Sequence, residues 1–294
     1  MLRNLFKRNG EKNSSLLEIC ANEHDKAFNF NLETNEVYFV GENSVIGDIT
    51  GMVDSGKNKH SEIAAEELPQ DKELIDLFGR PLRMGIVKPN NIYKILYEKD
   101  LKTRAVFDRL INRNVANVIE AMVHMKPKEG VDYTPVELDL LLVNRGPYDN
   151  IRWTRALYDH GLLTLEEMEG NSRIANEVLK YINFVANFNV PVNVAVDRDD
   201  EKPGKVMGDK EFLEILHGHY NTLSEEIASY GHPLGFGDVD CIYIDGTDTV
   251  ERNSKKFVGA LRSKIISSVK GGKYRNEPPD GEENRPYEDQ LQQA

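Results

Sequence analysis

The sequence predicts an α+β fold, predominantly helical, in which an N-terminal β-hairpin unit and one or two late strands pack on a helical core. Three observations predict it. Residues 26–50 carry a period-two apolar pattern, several later stretches repeat apolar residues at steps of three and four, and one strongly apolar late strand, Cys241-Ile242-Tyr243-Ile244, is bounded by Asp240 and Asp245.

In the hairpin unit Phe28 and Phe30 precede a turn at Glu33-Thr34-Asn35, Val37 and Phe39 follow, and a third strand is expected near residues 45–50. Residues 51–60 form a glycine-containing loop. Helices are then expected over residues 61–68, 71–78, where Gly79 and Pro81 stop the chain, and 90–97.

The longest periodic element follows. Phe107, Ile111, Val115, Val118 and Met122 form one apolar line, and Val106, Leu110, Ile119 and Val123 widen it into the stripe of a central core helix. Residues 135–143 and 151–163 are expected as a helical pair around Arg145-Gly146-Pro147, residues 171–188 as a third long helix, and 192–196 as a short strand. A charged loop over 197–208 precedes a helix through Phe212, Leu216, Leu223 and Ile227. The late strand comes next, and then a final helix over 249–269 through Phe257, Leu261 and Ile265.

The expected organisation is a basic leader and linker over 1–25, a β-rich unit over 26–60, a helical core over 61–196, a helix-strand-helix lobe over 209–270 and a disordered acidic tail over 271–294. The 294 residues suffice for a sizeable core. A formal charge of -12 opposes nonspecific binding to nucleic acid, which needs clustered basic residues. No apolar run is long enough for a membrane span, and two cysteines make no disulfide framework, so a cytoplasmic setting is expected, or a virion if the protein is phage-encoded.

Four stretches carry possible chemistry. Gly51-Met52-Val53-Asp54-Ser55-Gly56-Lys57 fits a phosphate-cradling loop between a strand and a helix, with Gly51, Gly56 and Lys57 as its binding residues. The next residue departs from that pattern: Asn58 stands where a hydroxyl would hold Mg²⁺, and a neutral amide is a poorer ligand for so hard a cation. Asp238 and Asp240 share one face of the late strand and Asp245 lies on the other, so these three are the metal candidates, needing a bulge to share one ion. His217 and His219 are two apart on a helix and face different ways, with His232 in the following loop. Finally, residues 135–163 have the outline of a helix-turn-helix, with Arg152, Trp153 and Arg155 on its second helix.

No complete catalytic set is present, and neither cysteine has a histidine partner by motif. The leading expectation is therefore a non-enzymatic structural or assembly protein of a phage or mobile element, needing no cofactor and working with other protein subunits as a homo- or hetero-oligomer. The alternative is a P-loop-like nucleotide- or metal-dependent phosphotransfer enzyme using ATP or GTP with Mg²⁺. A second alternative is a helix-turn-helix DNA-binding regulator.

Overall fold

Six strands that are parallel to their neighbours build the centre of the protein, in contrast to the predominantly helical α+β arrangement expected. The computed structural model describes residues 16–20, 30–31, 36–52, 55–88, 101–124, 133–200, 209–230 and 239–271. Of the expected basic leader and linker over 1–25 only residues 16–20, a strand, are described; the turn at 33–35, the helix at 90–97, His232, Asp238 and the tail from 272 lie outside the described residues.

The strands are β1 (Leu16–Cys20), β2 (Phe30–Asn31), β3 (Glu36–Gly51), β4 (Met84–Lys88), β5 (Thr134–Asn144), β6 (Phe184–Asn189) and β7 (Asp240–Asp245). Across the sheet the order is β1-β4-β5-β3-β6-β7, while β2 pairs antiparallel with the start of β3. Helices α1 (Lys57–Glu67), α2 (Lys72–Phe78), α3 (Leu101–His124), α4 (Pro147–Asp159), α5 (Leu165–Leu179), α6 (Val192–Asp200), α7 (Lys210–Tyr230) and α8 (Val250–Gly271) alternate with the later strands. This is an α/β fold, in which helices cover both faces of a parallel sheet.

Alternation along β3 sorts its side chains between the two faces. Val45 and Ile49 join Ala64 and Ala65 of α1 and Phe257, Leu261 and Ile265 of α8 in one core. Ile46 points the other way, into a core with Val115, Val118 and Met122 of α3, Ile151 of α4, Ile174 and Val178 of α5, and Leu223 and Ile227 of α7. A third cluster, holding Met52, Trp153, Val190, Phe212 and Tyr220, closes over the carboxyl ends of the strands.

The helical pair expected at 135–163 is a strand and a helix. In β5 the run from Leu138 to Asn144 is buried at every position, because helices lie on both sides, so the alternation of a half-buried strand is missing. The expected helix over 171–188 ends at Leu179, and β6, also buried throughout, takes the rest. Residues 192–196 are helical, with Pro191 just ahead of α6. β4 is too short for a periodicity signal. Within α3 the first apolar line is buried at Ile111, Val115, Val118 and Met122, whereas Val106 and Leu110 of the second line are 77% and 41% exposed. The helix therefore buries a narrower stripe than expected.

Candidate phosphate-binding site

β3 lies where the strand order turns back, with β5 on one side and β6 on the other, and in open parallel sheets the crevice beyond the carboxyl ends at such a point is where ligands bind. Gly51 ends β3 and α1 begins at Lys57, so Gly51, Gly56 and Lys57 stand at this crevice. Gly51 has φ +132°, and a Cβ there would stand 1.8 Å from the Phe188 carbonyl oxygen of β6. Only glycine lets the two strands close at this point. Gly56, left-handed at φ +88°, turns the chain into α1. No side chain caps that helix and no acidic residue lies in its first turn, which leaves its amino-terminal amides and positive dipole end available to an anion.

Lys57 is 7% exposed, and its ammonium donates to the carbonyls of Gly51 at 2.7 Å and Met52 at 2.6 Å and to Ser55 Oγ at 3.4 Å. The cation is thus seated on the backbone of its own loop. A lysine has three N–H donors, so reaching a phosphate exchanges one of these contacts for an anionic oxygen. Gly51, Gly56 and Lys57, the three binding residues expected from sequence, are brought together.

Two buried carboxylates fix the surroundings. Asp149, at the first turn of α4, accepts on Oδ1 from the Gly51 amide and the Thr50 hydroxyl, each at 3.2 Å, and from the Tyr220 hydroxyl of α7 at 2.8 Å. Asp48 of β3 accepts from the amides of Gly146 at 3.0 Å and Tyr148 at 2.7 Å and so caps α4 across the sheet. Burial, with Asp149 nearby, raises the Asp48 carboxyl well above its usual range against the pull of those amides. Between them stands Arg145, a non-glycine residue at φ 57°, with its guanidinium 3.9 Å from Asp149 Oδ2 and 5.6 Å from the centre of the Trp153 ring. A backbone held in that region marks a position imposed by its surroundings.

Asn144 closes β5 beside the loop. Its Nδ2 donates to Asn58 Oδ1 at 3.4 Å, and its Oδ1 accepts from Ser61 Oγ, also at 3.4 Å. Asn150, on α4 next to Asp149, is wholly buried with neither amide atom hydrogen-bonded.

The aspartates of the late strand are not gathered. Asp240 forms an ion pair with Lys264 at 2.8 Å at the start of β7, and Asp245 sits at its far end, about 16 Å away at the rise of a strand. Thr247 donates to Asp245 from both its hydroxyl and its amide and holds that carboxyl below its usual range. Among the described residues no group of three potential metal ligands forms. His219 instead bonds Asp159 at 2.8 Å, and His217 bonds Asn221.

The helix-turn-helix expectation is corrected as well. Residues 135–163 are β5 and α4, Trp153 is fully buried, and Arg152, 5% exposed, donates twice to Glu226 of α7 at 3.0 and 2.6 Å. Neither is available to read a DNA groove.

Fold and site together define a parallel α/β protein with a glycine- and lysine-bearing loop at its topological switch point. No protein-family model matches the sequence, and no curated protein matches it. Among solved structures, deoxyadenosine kinase from M. mycoides with the products dCMP and a flexible dCDP bound is similar, at TM-score 0.50 and 16% identity over 74% of this chain and 100% of that one. The same enzyme with bound dCTP gives TM-score 0.48 and 18% identity over 74% and 100%, and with bound dATP 0.48 and 17% over 74% and 98%. At such identities the likeness is one of fold. It overturns the expectation of a structural or assembly protein from a phage or mobile element: the fold is shared with deoxyadenosine kinase, a likeness that favours the phosphotransfer alternative over that expectation. Among the described residues no helix is long and apolar enough to cross a membrane.

Sequence reasoning missed Asp48, Asn144, Arg145, Asp149 and Asn150. An apolar run that ends in Asn-Arg-Gly-Pro was the available signal, since polar residues after a buried strand and Pro at a helix start mark the carboxyl edge of a sheet.

Proposed function

We propose that the protein binds a nucleotide by its phosphates in the loop after β3 and transfers a phosphoryl group, with a deoxynucleoside or its phosphate as the other substrate. The observation that carries this reading is Lys57, buried at the carboxyl end of the switch-point strand and seated on the Gly51 and Met52 carbonyls under the amino terminus of α1. In this reading the α1 amides and Lys57 hold the phosphates of ATP or GTP. Arg145, at the end of β5, adds a second cation where transferred charge builds up, and preorganised cations of this kind are the main catalytic means in phosphoryl transfer. The buried Asn150 amide, with neither of its atoms hydrogen-bonded, supplies a donor and an acceptor for the second substrate in this reading.

The residues fit a nucleotide phosphate. They do not fit Mg²⁺ at the place where such loops hold it, because Asn58 and Asn144 occupy the positions of the hydroxyl and the carboxylate and bond each other. No step is therefore assigned to a metal ion held by these two residues.

The test is transfer of the terminal phosphoryl of ATP or GTP to a panel of deoxynucleosides and their monophosphates, beside thermal unfolding with each nucleotide. Saturating ligand at about 100 Kd should stabilise the fold by roughly 2.7 kcal/mol, and Lys57→Ala should remove both transfer and shift. Absence of transfer and of any shift with every nucleotide would sink the reading.

A further inference from the structure

The loop's neighbourhood is electrostatically unlike that of a site made for a metal–nucleotide complex. The helix residue after the lysine and the end of the adjacent strand are the two places from which such sites offer Mg²⁺ a hydroxyl and an aspartate. Here they are Asn58 and Asn144. The two amides are joined, Nδ2 of Asn144 donating to Oδ1 of Asn58 at 3.4 Å. Asn144 is 3% exposed and is held from behind by Ser61, whose hydroxyl also donates to the Lys57 carbonyl at 2.9 Å. A cation at Asn58 Oδ1 would meet the positive N–H end of the Asn144 amide.

Neither neighbouring carboxylate makes up the deficit. Asp48 spends its two oxygens on the Gly146 and Tyr148 amides, and Asp149 has three donors on Oδ1, while its buried Oδ2, without a hydrogen bond, has the Arg145 guanidinium 3.9 Å away as its counter-charge. Asp245 ends β7, and Gly246 after it abuts the Ser55 carbonyl of the loop, but the Asp245 carboxylate is taken by the amide and hydroxyl of Thr247. Mg²⁺ needs oxygen ligands at about 2.0–2.1 Å in a near-octahedral shell and is normally bound through one or two carboxylates besides the phosphates. The carboxylates described around the loop are already engaged with protein donors or with Arg145, and no group of three potential metal ligands forms among the described residues.

We propose that this chain takes up the phosphates of its nucleotide without ligating Mg²⁺, their charge being met by Lys57, Arg145 and the α1 amides. The metal then brings no gain in binding, and any Mg²⁺ present is carried by the nucleotide's own oxygens and water. This inference rests on the nucleotide reading above and sharpens it.

The experiment is calorimetric titration of the full chain with ADP and with ATP, in EDTA and in excess Mg²⁺. Dissociation constants agreeing within about twofold between the two conditions are expected. Tightening by about tenfold or more in Mg²⁺ would overturn the inference while leaving the nucleotide reading intact. Absence of binding in both conditions would overturn the nucleotide reading and this inference with it. The double variant Asn58→Ser with Asn144→Asp, checked for an unchanged melting temperature, should acquire that tightening. With Mn²⁺ in place of Mg²⁺ it should also give a protein-bound manganese resonance in the presence of ADP that the wild type lacks. A resonance of equal strength in the wild type would count against the proposal.

Discussion

Asp149 accepts the amide hydrogen of Gly51 at 3.2 Å, tying the carboxyl end of β3 to the first turn of α4. The same oxygen holds Thr50 and Tyr220, so one carboxylate links the start of the loop to helices on the far face of the sheet. Asp149→Ala leaves three buried donors without an acceptor and should destabilise the protein by about 3 kcal/mol in urea unfolding, whereas Tyr220→Phe, which removes one donor, should cost about 1. Equal losses for the two substitutions would show that the carboxylate does not gather these groups.

Gly51→Ala and Gly79→Ala place a methyl at two positive-φ glycines in different surroundings. At Gly79 a Cβ meets nothing within 4 Å, and the cost should be the conformational one, about 1 kcal/mol. At Gly51 the methyl runs into the Phe188 backbone, so the β3–β6 register must shift and the variant should be recovered unfolded or with its melting temperature greatly lowered. A Gly51→Ala protein as stable as Gly79→Ala would remove the case for close approach.

His60, on the helix that follows the loop, stacks on Phe188 with ring centroids 5.1 Å apart and bonds Ser254 Oγ through Nδ1 at 2.8 Å. Burial lowers the imidazole below its usual value near 6.5. The unfolded chain therefore binds the proton more readily. The contribution of neutral His60 is complete above about pH 6.5 and is lost as pH falls toward the lowered folded value. His217 and His219 are lowered by burial too, so the wild-type curve alone does not isolate the residue. The stability difference between wild type and His60→Gln should shrink between about pH 7.5 and 5. Parallel curves over that range would contradict the assignment.

How much was legible in the sequence followed from how each segment meets solvent. The loop was readable because its glycines and lysine are needed for local reasons, a positive φ, a close strand and a helix start, that leave a short residue pattern. α3, α7, α8 and β7 were readable because each keeps an exposed side and hence a period. β5 and β6 were misread as helix because nearly every one of their apolar side chains is covered, one face by α3, α4 and α5 and the other by α1 and α8, and a segment buried all round has no period to show. With those two strands counted as helices the parallel sheet was invisible, and the loop had no sheet edge to sit on. Asp149 and Asn144 were beyond reach for another reason. Their roles arise from contacts spanning 98 and 86 residues of chain, and only the completed sheet makes those neighbours.

β3 runs for 16 residues, and its pairing with β5 skips between Val40 and Val45. That skip insulates one end of the strand from the other. A residue gained or lost below Val40 is absorbed at the irregularity, while the same change above Val45 would turn Ile46, Asp48 and Thr50 onto the wrong side of the sheet. The far end of β3, with the short β2 beside it, is therefore free to drift in length over evolution or to accept a grafted reporter, at no expense to the loop that the other end carries.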